Sequence, residues 1–203
     1  MKISASILAT NQNNIEEILS EKNKLYDLVH IDIADNKFCP TYGINENILK
    51  DLLKDKEYDL DIHLMMNSLP KFIVNKNIDN SNINMISYHI ESPLVNEFLQ
   101  TMQINKNIKT GLGILGNTDI RLLKNYLEDD NYLIDYVLLL CVNPGFSYQE
   151  PIISPIERVK EFKNTFPTYN GFISIDGGVK EYMLNELREL NVEIVVQGGA
   201  IFG

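Results

Sequence analysis

Cysteine is scarce: Cys39 and Cys141 are the only two in 203 residues. That is too few for a disulfide scaffold, and no Cys-x-x-Cys pair offers a zinc site, so both are expected as free thiols. Basic charge is also in short supply, with 18 Lys and Arg against 28 Asp and Glu and a formal net charge of -10. A basic nucleic-acid footprint or a patch for an anionic membrane has no compositional support, so neither nucleic acid nor membrane is expected as a partner. An anionic ligand would need local capture. Long apolar runs are missing too. The opening Met1-Lys2-Ile3-Ser4-Ala5-Ser6-Ile7-Leu8 lacks the apolar core of a signal peptide, and no stretch reaches the ~18 apolar residues of a membrane span, which implies a cytoplasmic protein. Low-complexity tracts are absent, and 44% hydrophobic with 23% charged residues is the composition of a folded chain.

What the sequence does contain is alternation. Apolar, β-branched runs recur at Ile3 to Leu8, Leu28 to Ile33, Leu60 to Met66, Met85 to Ile90, Thr110 to Leu115, Tyr136 to Val142, Gly171 to Ile175 and Glu193 to Ile201, eight candidate strands. Helical spacing fills most gaps, over Asn14 to Leu25, Asn45 to Lys54, Pro93 to Met102, Thr118 to Leu127, Ile153 to Phe162 and Val179 to Leu190. Strand–helix alternation implies right-handed βαβ units, and eight of them favour a closed (β/α)8 TIM barrel over an open sheet. The sequence stops at Gly203, directly after the eighth run, where a full barrel carries a last helix. The expectation is one TIM-barrel domain over residues 1–203 without a final helix, which is either lacking from the protein or cut off after Gly203.

Side chains two apart share a face of a strand. His30, Asp32 and Ala34 thus oppose Val29, Ile31 and Ile33, and Asp61, His63 and Met65 oppose Ile62, Leu64 and Met66. Likewise Ser87, His89 and Glu91 oppose Ile86, Tyr88 and Ile90, and Ser174 and Asp176 oppose Ile173 and Ile175. The apolar faces suit packing against helices. The polar faces then point into the barrel, where unpaired imidazoles and carboxylates cost several kcal/mol. All three histidines of the chain fall on this inner set. Imidazoles and carboxylates converging from different strands suit a divalent ion such as zinc, iron, manganese or cobalt. Glycine-containing segments follow the later strands: Asn143-Pro144-Gly145-Phe146, Asp176-Gly177-Gly178 and Gln197-Gly198-Gly199. Loops after the seventh and eighth strands of such barrels hold phosphate on backbone N–H groups, although tight turns alone would explain any one pair.

These segments resemble the ribulose-phosphate 3-epimerases, in order and along essentially the whole chain. The resemblance is carried by Ser4-Ala5-Ser6-Ile7-Leu8, Val29-His30-Ile31-Asp32-Ile33-Ala34-Asp35 and Leu60-Asp61-Ile62-His63-Leu64-Met65. Val142-Asn143-Pro144-Gly145-Phe146, Ile175-Asp176-Gly177-Gly178 and Gly198-Gly199-Ala200-Ile201-Phe202-Gly203 complete it. It implies metal ligation by His30, Asp32, His63 and Asp176, and proton transfer at carbon 3 of a ketose phosphate by Asp32 and Asp176. It further implies substrate contacts from Ser6, His63, Met65, Gly145, Phe146, Ser147, Gly177, Gly178, Gly198 and Gly199, with His89 beside the substrate or just behind the ligands. The partner is then a small-molecule sugar phosphate, and self-association into a homo-oligomer stays open.

The chain departs from the family pattern at several points. Ala34 and Leu140 stand where the family carries Met, leaving Met65, and Asp35-Asn36 replaces Asp-Gly. Gly145-Phe146-Ser147-Tyr148-Gln149 replaces Gly-Phe-Gly-Gly-Gln, which puts a phenol beside the expected phosphate loop. A different ketose phosphate, a larger sugar derivative, or an idle sugar-phosphate-binding barrel are the alternatives. A decarboxylase of the Asp-x-Lys-x-x-Asp type is disfavoured, because Asp32-Ile33-Ala34-Asp35 has no lysine at the middle position.

Overall fold

A computed structural model describes residues 1–54, 57–74 and 82–203. Its strands are β1 (Lys2–Ser6), β2 (Leu28–Ala34), β3 (Leu60–Met65), β4 (Ile83–His89), β5 (Lys109–Leu115), β6 (Tyr136–Leu140), β7 (Phe172–Asp176) and β8 (Ile194–Gln197). All pair in parallel and in sequence order, and β8 closes back onto β1. The helices are α1 (Ile15–Lys22), α2 (Glu46–Lys54), α3 (Lys71–Val74), α4 (Val95–Met102), α5 (Lys124–Leu127), α6 (Pro155–Thr165), α7 (Leu184–Glu189) and α8 (Gly199–Phe202). The chain is therefore a (β/α)8 barrel. No helix among the described residues is long and apolar enough to cross a membrane.

The strands are buried on both faces, as parallel barrel strands must be, and this is why they read as near-continuous Ile, Val and Leu. Ile31, Ile62, Leu64, Ile86, Leu112 and Val137 face outward into the main apolar cluster beneath the helices. The lower interior is a second cluster of Leu28, Met85, Tyr136, Leu138, Ile194 and Val196. The Tyr136 ring fills it by lying over Gly111, where a Cβ would sit 2.2 Å from the ring. Above this apolar floor the inner positions are polar: Ser4, Ser6, His30, Asp32, Asp61, His63, Ser87, His89 and Ser174 are all buried. The register holds them level, with His30 beside Asp61, Asp32 beside His63 and His63 beside Ser87.

Two sequence expectations need correction. The eighth strand ends at Gln197, not Ile201, and Gly199–Phe202 turn into the one-turn helix α8, so a helix does follow the last strand. Ala200, Ile201 and Phe202 are apolar enough to read as strand, but Ile201 and Phe202 donate back to the Gly198 carbonyl instead of to a neighbouring strand. The first strand also stops early, at Ser6, and Ile7–Ala9 form a 3-10 turn. Cys39 and Cys141 are buried free thiols, as expected.

Candidate active site

The polar ring opens into a cavity of about 430 Å³ at the carboxyl ends of the strands, the end where barrel loops can vary without disturbing the core. Ser6, Asp32, Met65 and Asp176 line its floor, and Gly145, Phe146, Ser147, Tyr148, Gly177, Gly178, Gly198 and Gly199 line its walls. Of the expected substrate contacts, His63 and His89 are not on this lining. Both are fully buried behind it.

Four side chains from three strands meet at the floor. His30 and Asp32 come from β2, His63 from β3 and Asp176 from β7, and their ligand atoms lie within 4.8 Å of one another. His30 donates from Nδ1 to Asp61 Oδ2 at 2.7 Å, and Ser4 Oγ donates to the same oxygen at 2.8 Å. That leaves His30 Nε2 buried with no hydrogen-bond partner among the described residues, facing Asp32 Oδ1 at 3.3 Å and Asp176 Oδ2 at 3.8 Å. His63 Nδ1 faces the same oxygens, at 3.0 Å and 3.7 Å. Two imidazole nitrogens and two carboxylates turned on one point make a place that calls for positive charge. That donor set fits zinc, iron, manganese or cobalt, and the orphaned His30 Nε2 is the atom such an ion would satisfy.

The electrostatics separate the two aspartates. Burial works to raise the Asp32 carboxyl, but the close imidazole of His30 and the hydrogen bond and charge of His63 outweigh it and hold Asp32 well below the usual carboxylate range. At Asp176 burial prevails over the pull of His30, the Asp32 charge adds to it, and the carboxyl is pushed up to about 6. His30 is opposed by burial, yet Asp61 and Asp32 push its imidazole well above its ordinary value. Ser6 Oγ donates to Asp32 Oδ2 at 2.9 Å and so orients that carboxylate.

His89 stands behind His63 with the two Nε2 atoms 2.8 Å apart, and its Nδ1 meets Glu91 Oε2 at 3.1 Å. Burial pushes the His89 imidazole below its ordinary value. Burial would raise Glu91, but His89, Thr118 and the Leu115 amide hold it below the usual range. The sequence placed Asp61 and Glu91 on the inner face without giving either a task. The signal for both was spacing, since each lies two residues from a histidine and shares its face.

The walls show why glycine recurs. Gly145, Gly177 and Gly178 all adopt positive φ, and a Cβ on Gly177 would sit 2.5 Å from the Val142 side chain. Asn36 and Tyr148, which stand where the resemblance leads one to expect glycine, keep left-handed backbone with φ of 55° and 59°. Asn tolerates this through its short side chain, whereas for Tyr it is a strain of about 1–2 kcal/mol. Tyr148 is held there by two contacts. Its hydroxyl donates to the Ala9 carbonyl at 2.8 Å, and its ring covers Gly199, where a Cβ would come within 2.9 Å. The phenol thus lies over the Gly199 rim, 69% exposed.

A model of the "Ribulose-phosphate 3 epimerase family" matches residues 2–202. The chain is 34% identical over 183 residues to a ribulose-phosphate 3-epimerase of Aquifex aeolicus, a match spanning 87% of this chain and 78% of that one. To the ribulose-phosphate 3-epimerase of Bacillus subtilis it is 27% identical over 211 residues, covering 100% of this chain and 93% of that one. Among solved structures, a 3-hexulose-6-phosphate synthase from Salmonella typhimurium superposes with a TM-score of 0.68 at 11% identity over 99% of this chain and 90% of that one. At that identity the last likeness speaks for the fold alone.

Proposed function

The chain belongs to the ribulose-phosphate 3-epimerase family, and from that premise we propose that it inverts carbon 3 of a ketose phosphate, interconverting ribulose 5-phosphate and xylulose 5-phosphate. The observation that carries this reading is the meeting of His30, Asp32, His63 and Asp176 at the cavity floor. Inversion beside a ketone removes a weakly acidic proton from one face and returns one to the other, so two carboxylates must flank the carbon. Asp32, kept ionised, takes the proton in one direction; Asp176, which holds its own more readily, gives one back from the opposite strand. In the reverse direction the roles exchange. A divalent ion held by His30, Asp32, His63 and Asp176 would, when bound, stabilise the negative charge that develops on the sugar oxygens.

Backbone donors support the phosphate end. The amides of Gly178, Gly199 and Ala200 have no hydrogen-bond partner among the described residues, and all three residues line the cavity. A dianion can be held by such amides without side-chain charge. Tyr148 narrows this rim at Gly199, yet Gly177 and Gly178 remain on the lining, which favours a retained phosphate site over a rebuilt one. Met65 and Leu140 supply the apolar cover on the other side.

The test is solvent exchange. Zinc-loaded protein incubated in deuterated water with ribulose 5-phosphate, other ketose phosphates and unphosphorylated ribulose is followed by NMR. Loss of the carbon-3 proton signal with appearance of xylulose 5-phosphate is expected. Absence of exchange with every ketose phosphate would sink the reading.

A further inference from the structure

Behind the metal cluster lies a second line of polar groups that the proton transfer does not use: His63, His89, Glu91 and the Leu115 amide. We infer that Glu91, acting through His89, fixes the tautomer of His63 so that its Nδ1 lone pair is aimed at the metal position. This rests on the metal-ligand reading of His63, and it assigns Glu91 and His89 as positioning residues.

The direction of each hydrogen bond follows from what each group can do. Glu91 Oε1 accepts from the Leu115 backbone N–H at 2.9 Å, a donor that cannot reverse. Its other oxygen lies 3.1 Å from His89 Nδ1, and a carboxylate can only accept there, so His89 Nδ1 carries hydrogen. When His63 Nδ1 holds an ion, its Nε2 must carry hydrogen, so the facing His89 Nε2 presents a lone pair. The 2.8 Å contact between the two Nε2 atoms needs one hydrogen, which His63 Nε2 must donate. Without an ion, His63 Nδ1 also lies within hydrogen-bond reach of Asp32 Oδ1, at 3.0 Å. An ion held between Asp32 and Asp176 takes the place of that hydrogen, and with Nε2 protonated the ring is then neutral with its Nδ1 lone pair on the metal position. A metal-bound histidine commonly has its second nitrogen held by a carboxylate or carbonyl. His30 has that arrangement directly, through Asp61. His63 has it at one remove, with an imidazole inserted between ligand and carboxylate.

The fold makes room for that insertion. His89 pairs in register with Gly113, and a Cβ at Gly113 would fall 3.0 Å from the His89 ring. On another side the Phe38 ring packs against His89 with centroids 4.9 Å apart. The imidazole is thus held in place by close packing as well as by its two polar contacts.

The decisive comparison is Glu91→Gln against Glu91→Asp. Gln matches Glu in shape, but its carbonyl must face the Leu115 N–H, which turns its NH2 toward His89 Nδ1. Every bond in the line then reverses, and His63 carries hydrogen on Nδ1, where the ion needs a lone pair. Asp is shorter yet remains an acceptor only, so it preserves the direction. Long-range 1H–15N correlations of the histidine rings, recorded with and without Zn²⁺, report the tautomers. Competition with a chelator reports Zn²⁺ affinity. Parent protein and Glu91→Asp should both show hydrogen on His63 Nε2, and Glu91→Gln should bind Zn²⁺ roughly 10–100-fold more weakly than the parent and more weakly than Glu91→Asp. A zinc-loaded parent with no hydrogen on His63 Nε2, or a Glu91→Gln variant that binds Zn²⁺ better than Glu91→Asp, overturns the assignment. A parent that takes up no Zn²⁺ defeats the metal reading, while the ring tautomers still decide the lock.

Discussion

Asp176 carries a carboxyl pushed up to about 6 where an unfolded aspartate titrates near 3.8, chiefly by burial. A group whose folded value is raised favours the fold when it holds its proton, so its contribution is fully present below the unfolded value and is lost as pH rises through about 6. Above that point the ionised carboxylate is a cost on the order of 1–3 kcal/mol in metal-free protein. Asp176→Asn should therefore raise the melting temperature of metal-free protein near pH 8 and leave it almost unchanged near about pH 4. The same variant should lose roughly 10²–10⁴-fold in epimerisation, because an amide moves no proton. Thermal unfolding at the two pH values, beside the deuterium-exchange assay, measures both. Equal melting of parent and variant at high pH would show that the carboxylate carries no burial cost.

β5 contains two glycines whose absent side chains shape what lies inside the barrel. Gly113 admits His89, and Gly111 admits the Tyr136 ring. Tyr136 is fully buried and stacks on Phe172 with centroids 5.0 Å apart, so it has no free direction in which to yield. Gly111→Ala should cost about 1–3 kcal/mol by overpacking, and at roughly 2–4 °C per kcal/mol for a chain of this size the melting temperature should fall by several degrees. A Gly111→Ala protein as stable as the parent would mean that Tyr136 can move aside. The element bounds were legible from the sequence to within a residue where β-branched runs stop, as at Leu28 to Ile33 for a strand that ends at Ala34. They were not at β8, because Ala200-Ile201-Phe202 is equally at home in a strand or a helical turn, and the backbone bonds to Gly198 decide between them.

The candidate cation site draws on three strands of a closed barrel, so an ion held there would tie together distant parts of the chain. Zinc at 100 times its dissociation constant should stabilise the parent by about 2.7 kcal/mol, by mass action. His30→Ala should remain folded by circular dichroism and show no such zinc-dependent rise in melting temperature. An equal rise in both proteins would exclude His30 as a ligand. Tyr148 acts across the mouth in a comparable way, tying the loop after β6 to the Ala9 carbonyl beyond β1. Replacing Ser147 and Tyr148 together by Gly should leave activity on ribulose 5-phosphate within about tenfold of the parent, the worth of a single contact. A much larger gain would show that this loop is rebuilt for a different substrate.

The sequence by itself determined the barrel, the inward set of His30, Asp32, His63, His89 and Asp176, and the glycine loops, because two-residue alternation and strand–helix order are local properties that survive translation into three dimensions. Only the tertiary structure decided what those inward residues do to one another. That His30 leans on Asp61 while His63 leans on His89 and Glu91 depends on strand register and on the space above Gly113. The opposite displacement of the two aspartates depends on burial and on how closely the two imidazoles approach each carboxylate, 3.0 and 3.3 Å at Asp32 against 3.7 and 3.8 Å at Asp176. Whether Tyr148 blocks or borders the cavity turned on a left-handed backbone and a bond spanning 139 residues. These are distances between residues far apart in the chain, and a one-dimensional pattern carries no measure of them.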